Sequence, residues 1–434
     1  MEYVRIEELY TFYLQSKKVN TDSRIKIPEA LFFALSGPNF DGNAFAKEAL
    51  EKGASAAVMD NKSQAEALEK AGYRIFLVEN VLVALQNLAH FHRKHFDFPV
   101  IAITGSNGKT TTKELCSLVL AYQWDVMATE GNLNNHIGIP LTLLSWPTSL
   151  HMGIVEMGAN HLGEIADYCK IVEPDYGLIT NCGKAHLEGF GSLEGVINAK
   201  TELYDYLREN KGKVFLHQDL EYLREKAKGI EIALDYGYTN GMVQGGIVES
   251  NKNLAVELFE PFKAKVITQL IGNYNLDNVL AAITLGIYFD VPWPLIQLAL
   301  AKYRPENQRS QWLETESNKV IIDAYNANPT SMKASITNMQ SFPIEEVVLC
   351  LGEMKEVGEK SEKEHEDLLT FIQREKWKNV FLVGAGFKNL KNDYTYFDNV
   401  QELKKYLKEK PIKQSYVLLK GSRSTCMEEL IDVL

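Results

Sequence analysis

The chain alternates between short apolar runs and longer stretches in which apolar positions recur every three or four residues. The first pattern is typical of buried strands and the second of amphipathic helices. Strands are predicted at 56–59, 75–78, 100–104, 152–156, 176–181, 320–323, 347–351, 380–383 and 416–419, and helices at 81–95 and 275–289. Strands that alternate with helices favour mostly parallel sheets covered by helices, so the predicted fold class is α/β.

The alternation is interrupted twice, which divides the chain into three blocks. Pro99 closes the first block, because proline disfavours a helix immediately before it. The segment around Pro305 closes the second block. The predicted domains are therefore 1–97, 98–306 and 307–434, and a chain of 434 residues is long enough to need several cores.

Composition excludes several classes of protein. A hydrophobic content of 45% and a charged content of 24% are typical of a soluble globular protein, and the net charge of −11 argues against a nucleic-acid partner. The chain has neither an apolar run of membrane-spanning length nor a secretory signal pattern, so we expect a cytoplasmic protein without membrane insertion. Its five cysteines form no C-x-x-C pair, which fits reduced thiols.

The most informative segment follows the strand at 100–104. It consists of Gly105, Ser106, Asn107, Gly108, Lys109, Thr110 and Thr111. Glycines after a buried strand let backbone N–H groups approach phosphates, a following helix adds positive potential, and a lysine reaches the β- and γ-phosphates. The spacing departs from G-x-x-x-x-G-K-[ST], because Ile103 stands where that pattern has its first glycine. The strand context nevertheless predicts a phosphate-binding loop (P-loop), with threonine hydroxyls available for Mg²⁺.

Carboxylate and imidazole side chains follow the next predicted strands. Glu156 ends the strand at 152–156, where open α/β sheets bind ligands, and with Thr110 it offers oxygen ligands for Mg²⁺. His186 lies in a glycine-dense segment after the strand at 176–181, where it is either a ligand or a structural cap. Lys200 alone has the features of an ordinary surface lysine.

Two asparagines lie at the start of the helix predicted at 275–289. Asn275 and Asn278 are three residues apart and so lie on one face of that helix. Asn275 is suited to capping the helix, while side-chain amides also read the edge of adenine. The residues alone leave both interpretations open.

The third block offers a further group of polar residues. Arg309 precedes the strand at 320–323, and Asp323 ends it, followed by a polar loop with Asn328. Arginine suits phosphate charge and aspartate suits ribose hydroxyls. The last strand is followed by Lys420-Gly-Ser-Arg423, a combination that suits a carboxylate ligand or a surface turn.

Taken together, these motifs resemble the Mur ligase family, the ATP-dependent amide-forming enzymes of peptidoglycan precursor synthesis. The resemblance covers nearly the whole chain, and the motifs appear in family order. Four segments carry it most specifically: 21–24 (Thr-Asp-Ser-Arg), 131–142, 323–329 and 420–423. His136 stands where the resemblance leads us to expect an acidic residue.

The resemblance implies a three-domain architecture and a reaction. A central P-loop mononucleotide-binding parallel sheet is flanked by a small amino-terminal α/β domain, which binds a UDP-sugar, and a carboxy-terminal Rossmann-like domain, which binds the amine. ATP phosphorylates a carboxylate of UDP-N-acetylmuramoyl-tripeptide to give an acyl phosphate, which the amine of D-alanyl-D-alanine attacks. The resemblance leaves the third residue of the tripeptide open, as diaminopimelate or lysine.

The resemblance also assigns roles on the nucleotide side. Lys109 and the P-loop hold the ATP phosphates, Thr110 or Thr111 and Glu156 serve a first Mg²⁺, and His186 serves a second. Lys200 matches a lysine that is carbamylated by CO₂, which would turn an ammonium into a carboxylate-like metal ligand. Asn275 and Asn278 match adenine-side residues, and Arg309 and Asp323 match ATP contacts from the carboxy-terminal domain.

The substrate-side roles follow in the same way. Ser23 and Arg24 would face the UDP part, and Asn132, Asn134 and Asn135 belong to a substrate-binding segment. Asn328, Lys420 and Arg423 are candidates for the D-alanyl-D-alanine end. The expected partners are thus small molecules, and the expected state is a monomer.

Two alternative interpretations predict different behaviour. Folylpolyglutamate synthetase and other amino-acid-adding Mur enzymes share the central block, but the segments 21–24 and 323–329 favour D-alanyl-D-alanine addition. A P-loop switch or regulatory ATPase would turn over nucleotide without a small amine. Polar motifs in all three blocks argue against that class.

Overall fold

The computed structural model describes residues 1–248, 253–375, 377 and 379–434, and its strands form three separate sheets. We refer to the amino-terminal, central and carboxy-terminal parts of the chain after these sheets. Strands alternate with helices in each part, which confirms the predicted α/β class. None of the helices in these described ranges is both long and apolar enough to cross a membrane.

The amino-terminal part contains a four-stranded parallel sheet in the order β1-β2-β3-β4. Its strands are β1 (Val19–Asn20), β2 (Leu31–Phe33), β3 (Ala56–Met59) and β4 (Ile75–Leu77). Its helices are α1 (Ile6–Ser16), α2 (Ala46–Glu51), α3 (Lys62–Lys70) and α4 (Val81–Arg93). Strands β2, β3 and β4 are buried at every position, which explains why they are uninterrupted apolar runs in the sequence.

The central part contains a nine-stranded sheet in the order β13-β12-β11-β10-β9-β8-β5-β7-β6. Its strands are β5 (Val100–Thr104), β6 (Val126–Ala128), β7 (Met152–Glu156), β8 (Tyr176–Ile179), β9 (Lys213–His217), β10 (Glu231–Gly237), β11 (Val243–Val248), β12 (Ala255–Glu260) and β13 (Ala264–Ile267). Its helices are α5 (Lys109–Ala121), α6 (Gly138–Ser145), α7 (Glu164–Val172), α8 (Leu187–Phe190), α9 (Leu193–Glu209), α10 (Glu221–Lys226), α11 (Leu276–Tyr288) and α12 (Trp293–Lys302).

The central sheet is parallel from β6 to β11 and antiparallel at its other edge, where β12 pairs with β11 and β13 with β12. This antiparallel edge is absent from the sequence predictions. Its strands mix buried and exposed positions, so they lack the long apolar runs that identify β5 and β7. The prediction of a mostly parallel sheet is therefore confirmed, because six of the eight described strand pairings of this sheet are parallel.

The carboxy-terminal part contains a six-stranded sheet in the order β14-β15-β19-β16-β17-β18. Its strands are β14 (Gln311–Glu314), β15 (Lys319–Asp323), β16 (Val347–Gly352), β17 (Asn379–Val383), β18 (Thr395–Phe397) and β19 (Tyr416–Lys420). Its helices are α13 (Pro329–Met339), α14 (Ser361–Gln373) and α15 (Val400–Glu409). Only β14 runs antiparallel to its neighbour.

The strand orders decide which loops meet. In the central sheet β5 lies between β7 and β8, so the ends of these three strands form one edge. In the carboxy-terminal sheet β19 lies between β15 and β16, and its register places Lys420 beside Asp323. Polar residues that follow these strands are therefore brought together although they are far apart in the sequence.

Candidate active site

A cavity of about 700 Å³ lies where the central and carboxy-terminal parts face each other. The P-loop and Glu156 line it from the carboxyl ends of β5 and β7. Asp323 and Lys420 line it from the ends of β15 and β19. Ligands bind at this position in open α/β sheets, because strand ends and helix amino termini converge there.

The P-loop connects β5 to α5 in a conformation that requires glycine. Gly105 has a φ of 144° and Gly108 a φ of 83°. A Cβ on Gly108 would lie 2.4 Å from Asn278 Oδ1, so that position is closed to larger residues. Lys109 Nζ donates to the carbonyl oxygens of Gly105 and Ser106, at 2.6 and 3.1 Å. Desolvation lowers the pKa of Lys109, with a smaller contribution opposing it from Glu156.

Contacts with the loop after β8 hold the P-loop in place. Ser106 Oγ lies 3.0 Å from the backbone nitrogen of Gly183, which donates to it. The backbone nitrogen of Asn107 donates to Asn181 Oδ1 at 3.1 Å. These contacts fix the P-loop against the loop that follows β8.

Glu156 is a buried carboxylate with one oxygen engaged and the other free. Oε1 accepts from Thr110 Oγ1 at 3.2 Å and from Asn134 Nδ2 at 2.8 Å. Oε2 is buried and has no hydrogen-bond partner among the residues that the structure describes, and Lys113 Nζ lies 3.9 Å from it. Buried carboxylate oxygens are normally satisfied, so the free Oε2 beside a threonine hydroxyl fits a site for a hard cation such as Mg²⁺.

Protein side chains alone do not complete a metal site here. Within the described ranges, no three His, Cys, Asp or Glu side chains cluster closely enough to hold an ion. A cation at Glu156 would therefore need hydroxyl, water or phosphate oxygens as its other ligands, as Mg²⁺ usually has in nucleotide sites.

His186 lines the cavity and is held by a residue from the carboxy-terminal part. Its Nδ1 lies 2.9 Å from Glu356 Oε2, which also accepts from Asn326 Nδ2 at 3.2 Å. Desolvation acts to raise the pKa of Glu356, but the hydrogen bond and charge of His186 outweigh it, so the pKa is lowered. His186 has a φ of 49°, in the left-handed region.

Glu356 and Glu364 belong to a charge-rich segment, 356–366, that faces the central part of the chain. Charge clusters such as 356–366 are typical of solvated helix faces. Glu356 instead lines the cavity, and Glu364 is only 4% exposed and forms a 2.6 Å ion pair with Lys184. Charge composition does not reveal that a neighbouring part of the chain covers this segment.

Lys200 is 1% exposed, which is unlike a surface lysine. It lies on α9, donates to the carbonyl oxygen of Ala159 at 3.2 Å, and its Nζ is 5.2 Å from the centre of the Phe190 ring. Desolvation, assisted by the positive charge of Lys109, lowers its pKa to about 7. A large fraction of this amine is neutral at neutral pH, and a neutral amine is the form that reacts with CO₂.

The two asparagines near the start of α11 are already hydrogen-bonded to the protein. Asn275 Nδ2 donates to the carbonyl oxygen of Ile271, and Asn278 Nδ2 donates to Asn275 Oδ1, both at 2.8 Å. Thr112 Oγ1 donates to Asn278 Oδ1 at 2.9 Å. These contacts tie α11 to α5 beside the P-loop, and both asparagines still line the cavity.

On the opposite side of the cavity, Asp323 and Lys420 form a buried ion pair at 2.6 Å. Asp323 also accepts from Ser335 Oγ at 2.7 Å. The guanidinium carbon of Arg309 lies 3.8 Å from the centre of the Tyr325 ring, and that of Arg423 lies 5.4 Å from it. Four of the predicted residues therefore lie on the side of the cavity that the carboxy-terminal part forms, which we call the carboxy-terminal wall: Arg309, Asp323, Lys420 and Arg423.

Asn328 joins the two walls. Its Oδ1 accepts from the backbone of Ser331 and caps α13, while its Nδ2 donates to Asn107 Oδ1 at 2.8 Å. Asn134 and Asn135 also line the cavity, and Asn135 Oδ1 accepts from the backbone of Gly138 at 2.9 Å at the start of α6.

Three predicted substrate residues are not among the described residues that line the cavity: Ser23, Arg24 and Asn132. Ser23 lies 3.5 Å from Glu48 in the amino-terminal part, and Arg24 forms a 2.7 Å ion pair with Asp22 on the surface. Asn132 is exposed in the segment before α6. Their predicted contacts therefore concern a different surface from the P-loop cavity.

Sequence reasoning missed several cavity residues, most clearly Glu356 and Tyr325. Tyr325 lies two residues after the strand that ends at Asp323, so its position beyond a buried strand is a signal that could have identified it. Glu356 has no such signal, because a polar segment separates it from the end of β16.

The chain is similar to known proteins in sequence and in fold. Profiles of the Mur ligase family match three successive segments: the family catalytic domain at 16–93, the middle domain at 103–286 and the glutamate ligase domain at 308–423. The chain is 33% identical over 430 residues to the UDP-N-acetylmuramoyl-tripeptide–D-alanyl-D-alanine ligase of Bacillus subtilis, covering 95% of this chain and 92% of the relative.

Solved structures give the same result. A crystal structure of MurF from Acinetobacter baumannii is similar with a TM-score of 0.85 and 29% identity, covering 96% of this chain and 92% of that one. The MurF ligase of Thermotoga maritima in complex with ADP is similar with a TM-score of 0.84 and 27% identity, covering 97% of both chains. The three profiles and a relative this similar over nearly the full length show that the chain belongs to the Mur ligase family.

Proposed function

We propose that this protein is an ATP-dependent ligase that joins D-alanyl-D-alanine to UDP-N-acetylmuramoyl-tripeptide in peptidoglycan precursor synthesis. The observation that carries the proposal is the cavity between Lys109 and Glu156 on one side and Asp323 and Lys420 on the other. The names of the similar proteins support the choice of substrates. The Bacillus subtilis relative is named a UDP-N-acetylmuramoyl-tripeptide–D-alanyl-D-alanine ligase, and both it and the MurF of Acinetobacter baumannii align with almost the whole chain.

The proposed reaction has two steps. A carboxylate oxygen of the tripeptide attacks the γ-phosphorus of ATP, the bond to the β-γ bridging oxygen breaks, and ADP leaves. The neutral amine of D-alanyl-D-alanine then attacks the acyl carbon, phosphate leaves from the tetrahedral intermediate, and the nitrogen gives up one proton and keeps one hydrogen as the N–H of the new peptide bond. Water must be excluded in between, because it would hydrolyse the acyl phosphate.

Lys109 is the residue we assign to the phosphates. Its Nζ is held over the P-loop carbonyls, so its charge is already in place when ATP binds. A preorganised cation at this position offsets the repulsion between the substrate carboxylate and the triphosphate. The remaining phosphate contacts are assigned to Gly105, Ser106, Asn107, Gly108, Thr110 and Thr111.

Two Mg²⁺ ions are proposed to act with ATP. Thr110 and Glu156 would hold the first, and His186 with a carbamylated Lys200 would hold the second. Bound Mg²⁺ would supply charge neutralisation at the phosphate oxygens. The free oxygen of Glu156 and the lowered pKa of Lys200 support this assignment.

The remaining assignments follow the placement of the side chains. Asn275 and Asn278 are proposed to lie on the adenine side of ATP, and Arg309 and Asp323 are proposed to contact ATP from the carboxy-terminal part. Asn328, Lys420 and Arg423 are proposed for D-alanyl-D-alanine. Ser23, Arg24, Asn132, Asn134 and Asn135 are proposed for the UDP-sugar substrate. We further propose that the protein works as a cytoplasmic monomer with domains at 1–97, 98–306 and 307–434.

The test is release of phosphate from ATP with UDP-N-acetylmuramoyl-tripeptide, measured with and without D-alanyl-D-alanine. We expect release to require both substrates and the product mass to equal UDP-N-acetylmuramoyl-pentapeptide. D-Alanine and L-alanyl-L-alanine are the matched control amines. Phosphate release at the same rate with and without D-alanyl-D-alanine would contradict the proposal and would favour a P-loop ATPase.

A further inference from the structure

The two ring nitrogens of His186 have different surroundings. Nδ1 lies 2.9 Å from Glu356 Oε2. Nε2 makes no hydrogen bond with any residue in the described part of the chain. The ring lines the cavity, and its side chain is 21% exposed. One nitrogen is therefore occupied by the protein, and the other is available to a ligand.

The carboxylate that occupies Nδ1 is itself fixed. Glu356 Oε2 also accepts from Asn326 Nδ2 at 3.2 Å. Asn326 follows β15 and Glu356 follows β16, so both belong to the carboxy-terminal sheet. The acceptor of His186 thus depends on the strand order of a part of the chain that does not contain His186.

The Phe190 ring lies near both His186 and Lys200. The centre of the Phe190 ring is 6.3 Å from that of His186 and 5.2 Å from Lys200 Nζ. Phe190 therefore borders the two side chains to which the proposed function assigns the second Mg²⁺, and its apolar surface limits how the imidazole can turn.

We propose that Glu356 is a positioning residue that keeps Nδ1 of His186 protonated, so that Nε2 presents its lone pair to the cavity. This inference rests on the proposed function, in which His186 binds the second Mg²⁺. A carboxylate on the far nitrogen of a ligating histidine fixes its tautomer and the direction of its ring. Glu356 acts through His186 and need not contact either substrate.

If Glu356 were only a contact between the central and carboxy-terminal parts, its removal would affect His186 in a different way. Lys184, two residues before His186, forms a 2.6 Å ion pair with Glu364 of the carboxy-terminal part. If Glu356 served only to hold the parts together, breaking the Lys184–Glu364 pair would have the same effect on His186 as removing Glu356. Glu364→Gln is therefore the matched control, and it leaves the half-exposed Lys184 free to reach solvent.

The experiment compares the wild type, Glu356→Ala and Glu364→Gln by NMR of protein labelled with ¹⁵N in its histidine rings, at pH 8. His186→Gln identifies the His186 signals. We expect wild type and Glu364→Gln to show the Nδ1–H tautomer, and Glu356→Ala to shift His186 toward Nε2–H. The inference is overturned if the wild type shows Nε2–H, or if Glu356→Ala retains the wild-type tautomer.

Metal binding gives a second readout that does not depend on turnover. Mn²⁺ is titrated by electron paramagnetic resonance in the presence of a non-hydrolysable ATP analogue and UDP-N-acetylmuramoyl-tripeptide. Removing such an outer partner weakens metal binding by about 10- to 100-fold, and we expect that loss at the weaker site in Glu356→Ala but not in Glu364→Gln. Equal Mn²⁺ affinity in all three proteins would overturn the inference.

A second variant and the ligation activity of the wild type separate the possible causes of a negative result. If Glu356→Ala does not fold, Glu356→Gln keeps the size of the side chain, and its neutral amide is expected to weaken Mn²⁺ binding in the same direction. A wild type that fails to ligate D-alanyl-D-alanine would reject the proposed function. A wild type that ligates, with a tautomer and Mn²⁺ affinity indifferent to Glu356, would reject only the role of Glu356.

Discussion

The two walls of the cavity are built in different ways. The P-loop wall, which comprises 105–111 and Glu156, is held mainly from within the central part: Lys109 bonds to carbonyls three and four residues away, and Ser106 and Asn107 bond to the loop after β8. The carboxy-terminal wall comprises Arg309, Asp323, Asn328, Glu356, Lys420 and Arg423. Its contacts are remote, because Asp323 and Lys420 are 97 residues apart and Asn328 bonds to Asn107 at a separation of 221 residues.

This difference predicts different consequences of mutation. On the P-loop wall the backbone holds the loop, so a lost side chain should remove chemistry and leave the fold intact. On the carboxy-terminal wall a lost side chain leaves a buried partner without its countercharge or hydrogen bond, which costs stability. Four measurements separate the two behaviours.

The largest effect is expected at Lys109. Lys109→Met should lower the rate of phosphate release by on the order of 10³-fold, because a preorganised charge at the transferred phosphate is lost. Its unfolding free energy should change little, since methionine avoids the desolvation that lowers the lysine pKa. Lys170→Met, at an exposed lysine, is the control and should keep the wild-type rate. A loss of less than tenfold would place the essential charge elsewhere.

The next effect concerns the stability of the carboxy-terminal wall. Lys420→Met should lower the free energy of unfolding by about 3 kcal/mol, because it leaves Asp323 as a largely buried charge without its partner. Lys404→Met breaks the surface pair with Asp432 and should cost about 1 kcal/mol or less. Urea denaturation at pH 7 measures both. Equal losses in the two variants would show that burial of the Asp323 pair has no energetic consequence.

A smaller effect is expected from the pH dependence of Lys200. With a pKa of about 7, its amine is protonated below that pH and neutral above it. The neutral fraction rises from about 10% at pH 6 to about 90% at pH 8, so the initial rate of carbamate formation at constant dissolved CO₂ should rise about ninefold. The initial growth of the ¹³C-carbamate NMR signal after ¹³C-bicarbonate is added measures this rate, and the signal is expected to be absent in Lys200→Met. A signal that does not increase over this range would contradict the neutral-amine assignment.

The smallest effect is expected at Asn328. Asn328→Ala removes a helix cap and should cost about 1 kcal/mol of stability, as should Asn399→Ala at the cap of α15. Only Asn328 also bonds to the P-loop, so only Asn328→Ala should raise the KM for ATP, by about fivefold for one lost hydrogen bond. Identical KM values in the two variants would mean that this bond does not link the walls functionally.

The elements that sequence predicted best are those with buried strands. The strands at 100–104 and 152–156 occur at the predicted bounds because every position in them is buried, which leaves an uninterrupted apolar run. The helix predicted at 275–289 spans Leu276–Tyr288. The strands β11, β12 and β13 were missed because they lie at a sheet edge, where burial is intermittent.

The site residues also differ in how far the sequence alone identified them. Lys109, Glu156 and Asp323 were identifiable because each follows a recognisable strand. Lys200 was recognisable only through resemblance to the family, because its burial comes from the packing of α9. The roles assigned to these residues stay predictions until the measurements above are made.

The sequence by itself determined the α/β class, the P-loop and the family, because apolar runs and glycine turns are local properties of the chain. Only the tertiary structure decided that Glu356 meets His186, that Lys420 pairs with Asp323, and that Lys200 is buried. These pairings depend on strand order and register and on how the two parts pack. The side chains they join are separated by long stretches of chain, so no local pattern records which of them will be desolvated together.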